Sequence, residues 1–545
     1  QAVPGPPMAL PVPAGRLGAV PAERAQASQR DGPASWLPAW VQGRSPSSSS
    51  SLPACTKAIK ALGRQRLWQE AAALLDHARR GRLEPDVVAQ NVAIAAFEKA
   101  GQWQRAGGLL QDMCSEAQEA DVISLGAAIS SCSKGHCWTQ ALELLATARR
   151  GGISPNAIAF NSAMSACVNG EHWWWALELF GALVAARLEP TTVTFGAAAC
   201  ALERGRRWSE ALALVEEMLR SGVSPDVVVY GAAISACEKG QQWESALGLL
   251  RGLRCAKLSA DAVAYSAAIS ACEKGRQWEQ ALQLLQEMRR QKLNTDVIAC
   301  NSALSACEKG RRWEPALELL GEMHRSGPRP DVISYNSVIS VCEKGKQWHW
   351  ALGLLRNMRA LLLQPDVITY DAAISACEKG KQWSHALALL REMQQLDLHP
   401  NLITYNAAIS ACETGRLWRS ALALLAEMQC ERAQPDVISY SATISACEKA
   451  GRWKSALALL AEMRVGRLAA NAITYNAVIS VCARQRQWHI ALGLLADMRG
   501  RGPLPDSITY DLALGACEEG KVWSCALQLL DEVQEWALTL DPLTP

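Results

Sequence analysis

The stretch Ala262–Asp296, AVAYSAAISACEKGRQWEQALQLLQEMRRQKLNTD, decides the fold. In it Tyr265, Ala268, Ile269 and Cys272 fall at i, i+3, i+4 and i+7, the stripe of an amphipathic helix. Asp261 just before it is suited to N-capping, and Gly275 marks its end. A second stripe, Trp278, Ala281, Leu282 and Leu285, extended by Met288, predicts another helix running to about Arg290. Helices of about a dozen residues are marginal alone in water, so their stability has to come from stacking on neighbours.

Those neighbours are written in the sequence. Trp278 belongs to a column of fourteen tryptophans, Trp68, Trp103, Trp138, Trp173 and onward to Trp523, each 35 residues from the next. A period held without insertion defines a tandem array. Counted from the residue four before the variable position described below, the first repeat begins at Leu52 and the last ends at Asp541, with residues 542–545 as a short tail. All eight tyrosines share one repeat position, joined there by Phe160 and Phe195, and are expected in the core with the tryptophans as scaffold. Eleven cysteines, among them Cys132, Cys272 and Cys517, share another, which reads as a column of small buried thiols. Cys-x-x-Cys is absent, and Cys132, His136 and Cys137 straddle a helix junction, so no metal centre is expected.

Composition fits such an array. Apolar residues are 49% of the chain, enough for a long continuous core, and no run of eighteen uncharged apolar residues suggests a membrane span. A formal net charge of +2 gives no bulk attraction for nucleic acid, so the placement of charge has to carry any such argument. Residues 1–51 differ: rich in Pro, Ala, Gly and Ser, they carry Arg16, Arg24, Arg30 and Arg44 against Glu23 and Asp31. They cannot pack a core, and read either as an organelle transit region or as a plain disordered segment.

Removing the core stripe of the first helix leaves Val263, Ser266, Ser270 and Lys274, spaced as a second helical face. Over the array this face becomes a strip offering one aliphatic, one variable and one basic residue per repeat. The aliphatic column is Val88, Ile123, Ile158, Val193, Val228, Val263, Ile298, Ile333, Ile368, Ile403, Ile438, Ile473 and Ile508, with a core role as its competing reading. The basic column is Arg64, Lys99, Lys134, Arg204, Lys239, Lys274, Lys309, Lys344, Lys379, Lys449 and Arg484. Its regular spacing suits a phosphate backbone, against the alternative of solvated lysines on the helix dipole. Between them lies a position that changes chemistry while its surroundings stay fixed: Thr56, Asn91, Gly126, Asn161, Gly196, Gly231, Ser266, Asn301, Asn336, Asp371, Asn406, Ser441, Asn476 and Asp511. The last residue of each repeat is Asp, Asn or Thr, which N-capping explains by itself.

The layout, with DVISYN opening at Asp331 and Ala-Leu-x-Leu-Leu-x-x-Met closing the second helix, resembles the pentatricopeptide repeat from about residue 52 to 541. That resemblance implies an all-α, right-handed superhelical α-solenoid of about fourteen 35-residue helix-turn-helix repeats. It further implies binding of single-stranded RNA of about 14 nucleotides, one base per repeat, in an organelle, chloroplast or mitochondrion. Each base would be read by the variable residue together with the last residue of its repeat, flanked by the Val or Ile, and its phosphate met by the cation. Uracil is then favoured by Asn91 with Asp121, Asn301 with Asp331, Asn336 with Asp366, Asn406 with Asp436 and Asn476 with Asp506. Guanine is favoured by Thr56 with Asp86 and Ser266 with Asp296, adenine by Ser441 with Asn471, and Asn161 reads a pyrimidine. The three glycines have no side chain to read with, and Asp371 and Asp511 fit the usual pairs poorly, which gives 5′-GUNYNNGUUNUAUN-3′. Eight to eleven cations on phosphate imply a slope of log K against log salt of about −6 to −8.

Two other classes compete. A deaminase would need His-x-Glu, which occurs nowhere, so no catalytic residue, cofactor or small-molecule substrate is expected. A protein-binding helical array shares the helix-pair plan, but its 34-residue spacing differs. RNA-processing enzymes are the expected protein partners.

Overall fold

The computed structural model describes residues 52–530 apart from 65–66, 81–86, 116–120, 151–153 and 432. The expected segments 1–51 and 542–545, the capping residue Asp86 and the end of the last repeat at Asp541 lie outside the described residues. Every regular element among the described residues is an α-helix, and they alternate as the two stripes require. The stretch first quoted forms helices Ala262–Lys274 and Trp278–Arg290, the bounds expected from its sequence. The chain divides into two compact units, Gln1–Ala166 and Cys167–Pro545. Within each, the first helix of a repeat packs on the first helix of the next, on its own second helix and on the second helix of the repeat before.

That arrangement surrounds the first helix on most sides. Tyr265, Ala268, Ile269 and Cys272 are fully buried, and so are Ala264 and Ala271 from outside the stripe, whose small side chains let adjacent first helices approach closely. Asp261 caps with extended backbone, its carboxylate accepting from the Ala264 amide at 2.9 Å. The cysteine column is buried and unpaired, and desolvation pushes the Cys272 thiol up to about 11 and those of Cys307 and Cys342 to about 12.

The helix ends differ from a glycine stop in left-handed backbone. Gly275 has φ −79°, and the left-handed residue is Arg276 at φ 58°; the same holds for Gly310 with Arg311 and Gly345 with Lys346. Glycine is there for space: a β-carbon on Gly310 would lie 2.5 Å from Cδ1 of Trp278, the tryptophan of the preceding repeat. The tryptophan column is therefore scaffold that joins one repeat to the next rather than deep core, and Trp383 is 40% exposed. Arg312 and Arg452 cover Trp278 and Trp418 with their guanidinium groups about 5.0 Å from the ring centres.

Among the described residues no helix is long and apolar enough to cross a membrane, and no three His, Cys, Asp or Glu side chains converge as metal ligands.

Candidate functional site

The face left over by the core is the second position of each first helix and the residues in line with it. The whole aliphatic column is solvent-exposed, from 58% at Ile508 to 71% at Ile123. This removes the core reading: Val or Ile at this position is open to solvent on a helix that is otherwise largely buried.

One turn on, the variable residue meets the cap of the next repeat. Asn336 Nδ2 donates to Asp366 Oδ1 at 3.0 Å and Oδ2 at 3.2 Å. Asn91 reaches Asp121 at 3.1 Å, Asn301 reaches Asp331 at 3.2 Å, Asn406 reaches Asp436 at 3.3 Å and Asn476 reaches Asp506 at 3.1 Å. The two columns inferred to act together are thus in contact, although they lie 30 residues apart in sequence. Ser266 donates to Asp296 over a longer 3.5 Å, and in the Asp371 repeat the pair is reversed, with Asn401 donating to Asp371 at 2.6 Å. Ser441 is directed elsewhere: it shares a hydrogen bond of 2.7 Å with Thr474, while Asn471 accepts from that same hydroxyl. Thr56 is half-buried and Asn161 buried. Gly196 and Gly231 face open space, with nothing within 4 Å of a β-carbon built on either, so no packing forbids a side chain there.

A further group was missed by sequence reasoning. Thr369 Oγ1 lies 2.6 Å from Asn336 Oδ1 and 2.7 Å from Asp366 Oδ1, and the same hydroxyl accepts the Asp366 amide at 3.1 Å. Burial pushes the Asp366 carboxyl up, but its hydrogen-bonded contacts with Thr369 and Asn336 outweigh it and hold the group below the ordinary carboxylate range. Asp331 and Asp436 are lowered in the same way. At Asp371 burial prevails over the hydrogen bonds of Thr404 and Asn401, and the carboxyl is raised.

The basic column sits at the other end of the strip, and eight of its cations have a carboxylate in reach. Lys344 Nζ is 2.8 Å from Glu308 Oε1, on the preceding repeat, and Ser340 donates to that oxygen at 2.7 Å. Lys134, Lys239, Lys274, Lys309, Lys379 and Lys449 pair likewise at 2.7–3.0 Å, and Arg484 pairs with Glu448 at 3.4 Å. Glu stands immediately before most of these cations in sequence, but its partner is the cation one repeat later. Arg64, Lys99 and Arg204 lie in the last turns of their helices.

Comparison with known proteins bears on the family and the fold. Models of the pentatricopeptide repeat domain match residues 283–344 and 353–414, the PPR repeat family matches 435–484 and 470–519, and the PPR repeat matches 193–223, 263–293, 333–361 and 403–432. No curated protein matches the chain significantly. Among solved structures, the pentatricopeptide repeat protein PPR10 from maize is 20% identical, with a TM-score of 0.50 over 89% of this chain and 74% of that one. PPR10 in complex with an 18-nt psaJ RNA element is 19% identical, with a TM-score of 0.45 over 91% and 86%. Yeast Rmd9p in complex with a 16-nt target RNA is 12% identical, with a TM-score of 0.30 over 76% and 94%. The fold is an α-solenoid of tandem helical repeats, and the chain belongs to the pentatricopeptide repeat family.

Proposed function

We propose that the array binds single-stranded RNA, one base per repeat over about 14 nucleotides, and performs no chemistry of its own. The observation that carries this is the hydrogen-bonded Asn–Asp pair, found in five repeats, beside a Val or Ile that is exposed in every one of them. A base fits between successive exposed aliphatics, which shield its faces from water. Its edge then meets the pair. With one amide hydrogen of Asn336 on Asp366, the second remains to donate, and the carboxylate keeps lone pairs to accept. Uracil offers the complement, a carbonyl beside an N3–H. The same logic gives Asn91, Asn301, Asn406 and Asn476 to uracil. Gly126, Gly196 and Gly231 leave their bases unread.

The phosphate role of the basic column requires each ion-paired cation to leave, or to share, its glutamate. As to setting, the Arg-bearing, acid-poor residues 1–51 support an organellar transcript as target, in a chloroplast or mitochondrion, with the bound protein stabilising it, guiding its processing or its translation, and recruiting separate RNA-processing enzymes.

Selection of RNA from a random pool by the full chain tests the reading. Enrichment of 5′-GUNYNNGUUNUAUN-3′, weakened when Lys274, Lys309, Lys344 and Lys379 are changed to Glu, is expected. A pool that stays unenriched, with affinity unchanged in that variant, would instead favour a protein-binding scaffold.

A further inference from the structure

Thr369 belongs to a column that changes along the chain, and it changes in step with something. Asn91, Asn301, Asn336, Asn406 and Asn476 are followed, 33 residues on, by Ser124, Ser334, Thr369, Ser439 and Thr509. Asn161 and Asp371 are followed by Thr194 and Thr404, and Ser441 by Thr474. Where the variable residue is glycine, at 126, 196 and 231, the residue 33 positions on is Ala159, Val229 or Ala264. The short readers Thr56 and Ser266 are followed by Ala89 and Ala299. Hydroxyls therefore accompany every Asn or Asp reader in the described repeats whose partner position is also described, and no glycine.

Helix capping does not account for this. Ser or Thr three residues after a cap completes a capping box. Yet Asp226, Asp261 and Asp296 cap their helices with Val229, Ala264 and Ala299 at that place, and these helices are thirteen residues long like Val332–Lys344 and Val367–Lys379, which have the box. The hydroxyl follows the reader of the preceding repeat, and not the cap beside it.

The contacts say why. The Asn336 amide has two orientations. In the one observed, its Nδ2 lies on the Asp366 carboxylate and its Oδ1 faces the Thr369 hydroxyl at 2.6 Å. That hydroxyl has one hydrogen. Asp366 Oδ1 already accepts from the Thr369 amide at 2.9 Å and from Asn336, so the hydroxyl hydrogen is best placed on Asn336 Oδ1. Ser334 and Asn301 repeat the arrangement at 2.5 Å, Ser439 and Asn406 at 2.6 Å, Thr509 and Asn476 at 2.6 Å. Each of these hydroxyl-bearing residues is fully buried, out of reach of any base.

We propose that this buried hydroxyl is a specificity-determining positioning residue: it locks the reader amide of the preceding repeat so that the pair presents a donor beside an acceptor. The inference rests on the RNA-reading function above. Without the hydroxyl, Asn336 keeps its side chain but loses the group that holds Oδ1, and the amide samples rotamers in which the presented pattern is lost.

The test uses the full chain and a 14-nucleotide RNA carrying each of the four bases at its ninth position, opposite Asn336. Thr369→Val, which keeps shape and removes the hydroxyl, is expected to reduce the preference for U about three- to tenfold, the worth of one hydrogen bond. Thr369→Ser should retain it, and Asn336→Ala should abolish it. A complementary gain avoids any folding defect: Ser266→Asn combined with Ala299→Ser should prefer U at the seventh position about three- to tenfold more than Ser266→Asn alone. If Thr369→Val discriminates like the parent while Asn336→Ala does not, or if Ala299→Ser adds nothing, the positioning role is overturned and base reading stands. If the unaltered chain itself shows no preference at the ninth position, base reading fails, and the role with it.

Discussion

Gly345, which follows the first helix of its repeat, lies against Trp313 of the repeat before, so closely that a β-carbon would sit 2.8 Å from the indole Cδ1. Its φ of −81° is open to any residue, so the glycine answers to packing alone. Gly345→Ala is expected to destabilise the array by about 1–3 kcal/mol through overpacking. Because Trp313 is the obstacle, combining it with Trp313→Ala should cost less than the sum of the two single changes. Denaturant unfolding of the four proteins measures this, and strict additivity would break the link between the two columns.

The left-handed backbone one residue later gives a change of opposite sign. Lys346 has φ 56°, a conformation that costs a non-glycine residue about 1 kcal/mol. Lys346→Gly should therefore be neutral or stabilising by up to about 1 kcal/mol in the same measurement, since glycine is at home there.

Glutamates along the strip hold back the salt dependence of RNA binding. When Lys344 leaves Glu308 for a phosphate, the carboxylate takes up a cation and offsets the one released. The slope of log K against log salt is therefore expected to be shallower than about −6, the lower figure implied by counting cations. Glu308→Gln together with Glu343→Gln should tighten binding and steepen the slope by up to about 0.7 for each glutamate, at a stability cost below about 1 kcal/mol per pair. A parent slope steeper than −6 would mean that the ion pairs do not restrain the cations.

Ile333, 61% exposed, separates binding from stability. Ile333→Ala should shift unfolding by no more than about 0.5 kcal/mol, as surface changes do, whereas a core isoleucine would cost about 2–5 kcal/mol. RNA affinity, read by filter binding, should fall nonetheless.

The cysteine column makes the protein sensitive to alkali. Thiols with an unfolded value of 9.0 stand at about 11 for Cys272 and about 12 for Cys307 and Cys342, because burial disfavours the thiolate. Above pH 9 the unfolded chain releases protons that the folded one keeps, so stability falls with rising pH. This contribution is complete below pH 9 and is lost progressively as pH climbs through about 11 to 12. Thiol alkylation at pH 8 should label the exposed Cys255 and Cys430 rapidly and the column only on unfolding. Rapid labelling of Cys272 in the folded protein would contradict its burial.

The sequence by itself determined the helices, their register and the strip, because these are local or periodic properties. The stripe Tyr265, Ala268, Ile269, Cys272 and the cap Asp261 lie within one helix, and a column repeated every 35 residues needs no coordinates to be seen. What only tertiary structure decided are relations that cross from one repeat to the next. Exposure of Ile333 was ambiguous because a face beside the core stripe is buried or free according to where the neighbouring helices lie. Glu308 stands next to Lys309 in sequence but binds Lys344, since stacking brings the next helix end closer to its carboxylate. Gly275 reads as a helix end from sequence, but only the fold sets Trp243 of the preceding repeat against it, as it sets Trp313 against Gly345. Thr369 carried a signal in its alternation with Ala and Val, yet that alternation acquires meaning only when the fold sets its hydroxyl on the amide of Asn336, 33 residues away.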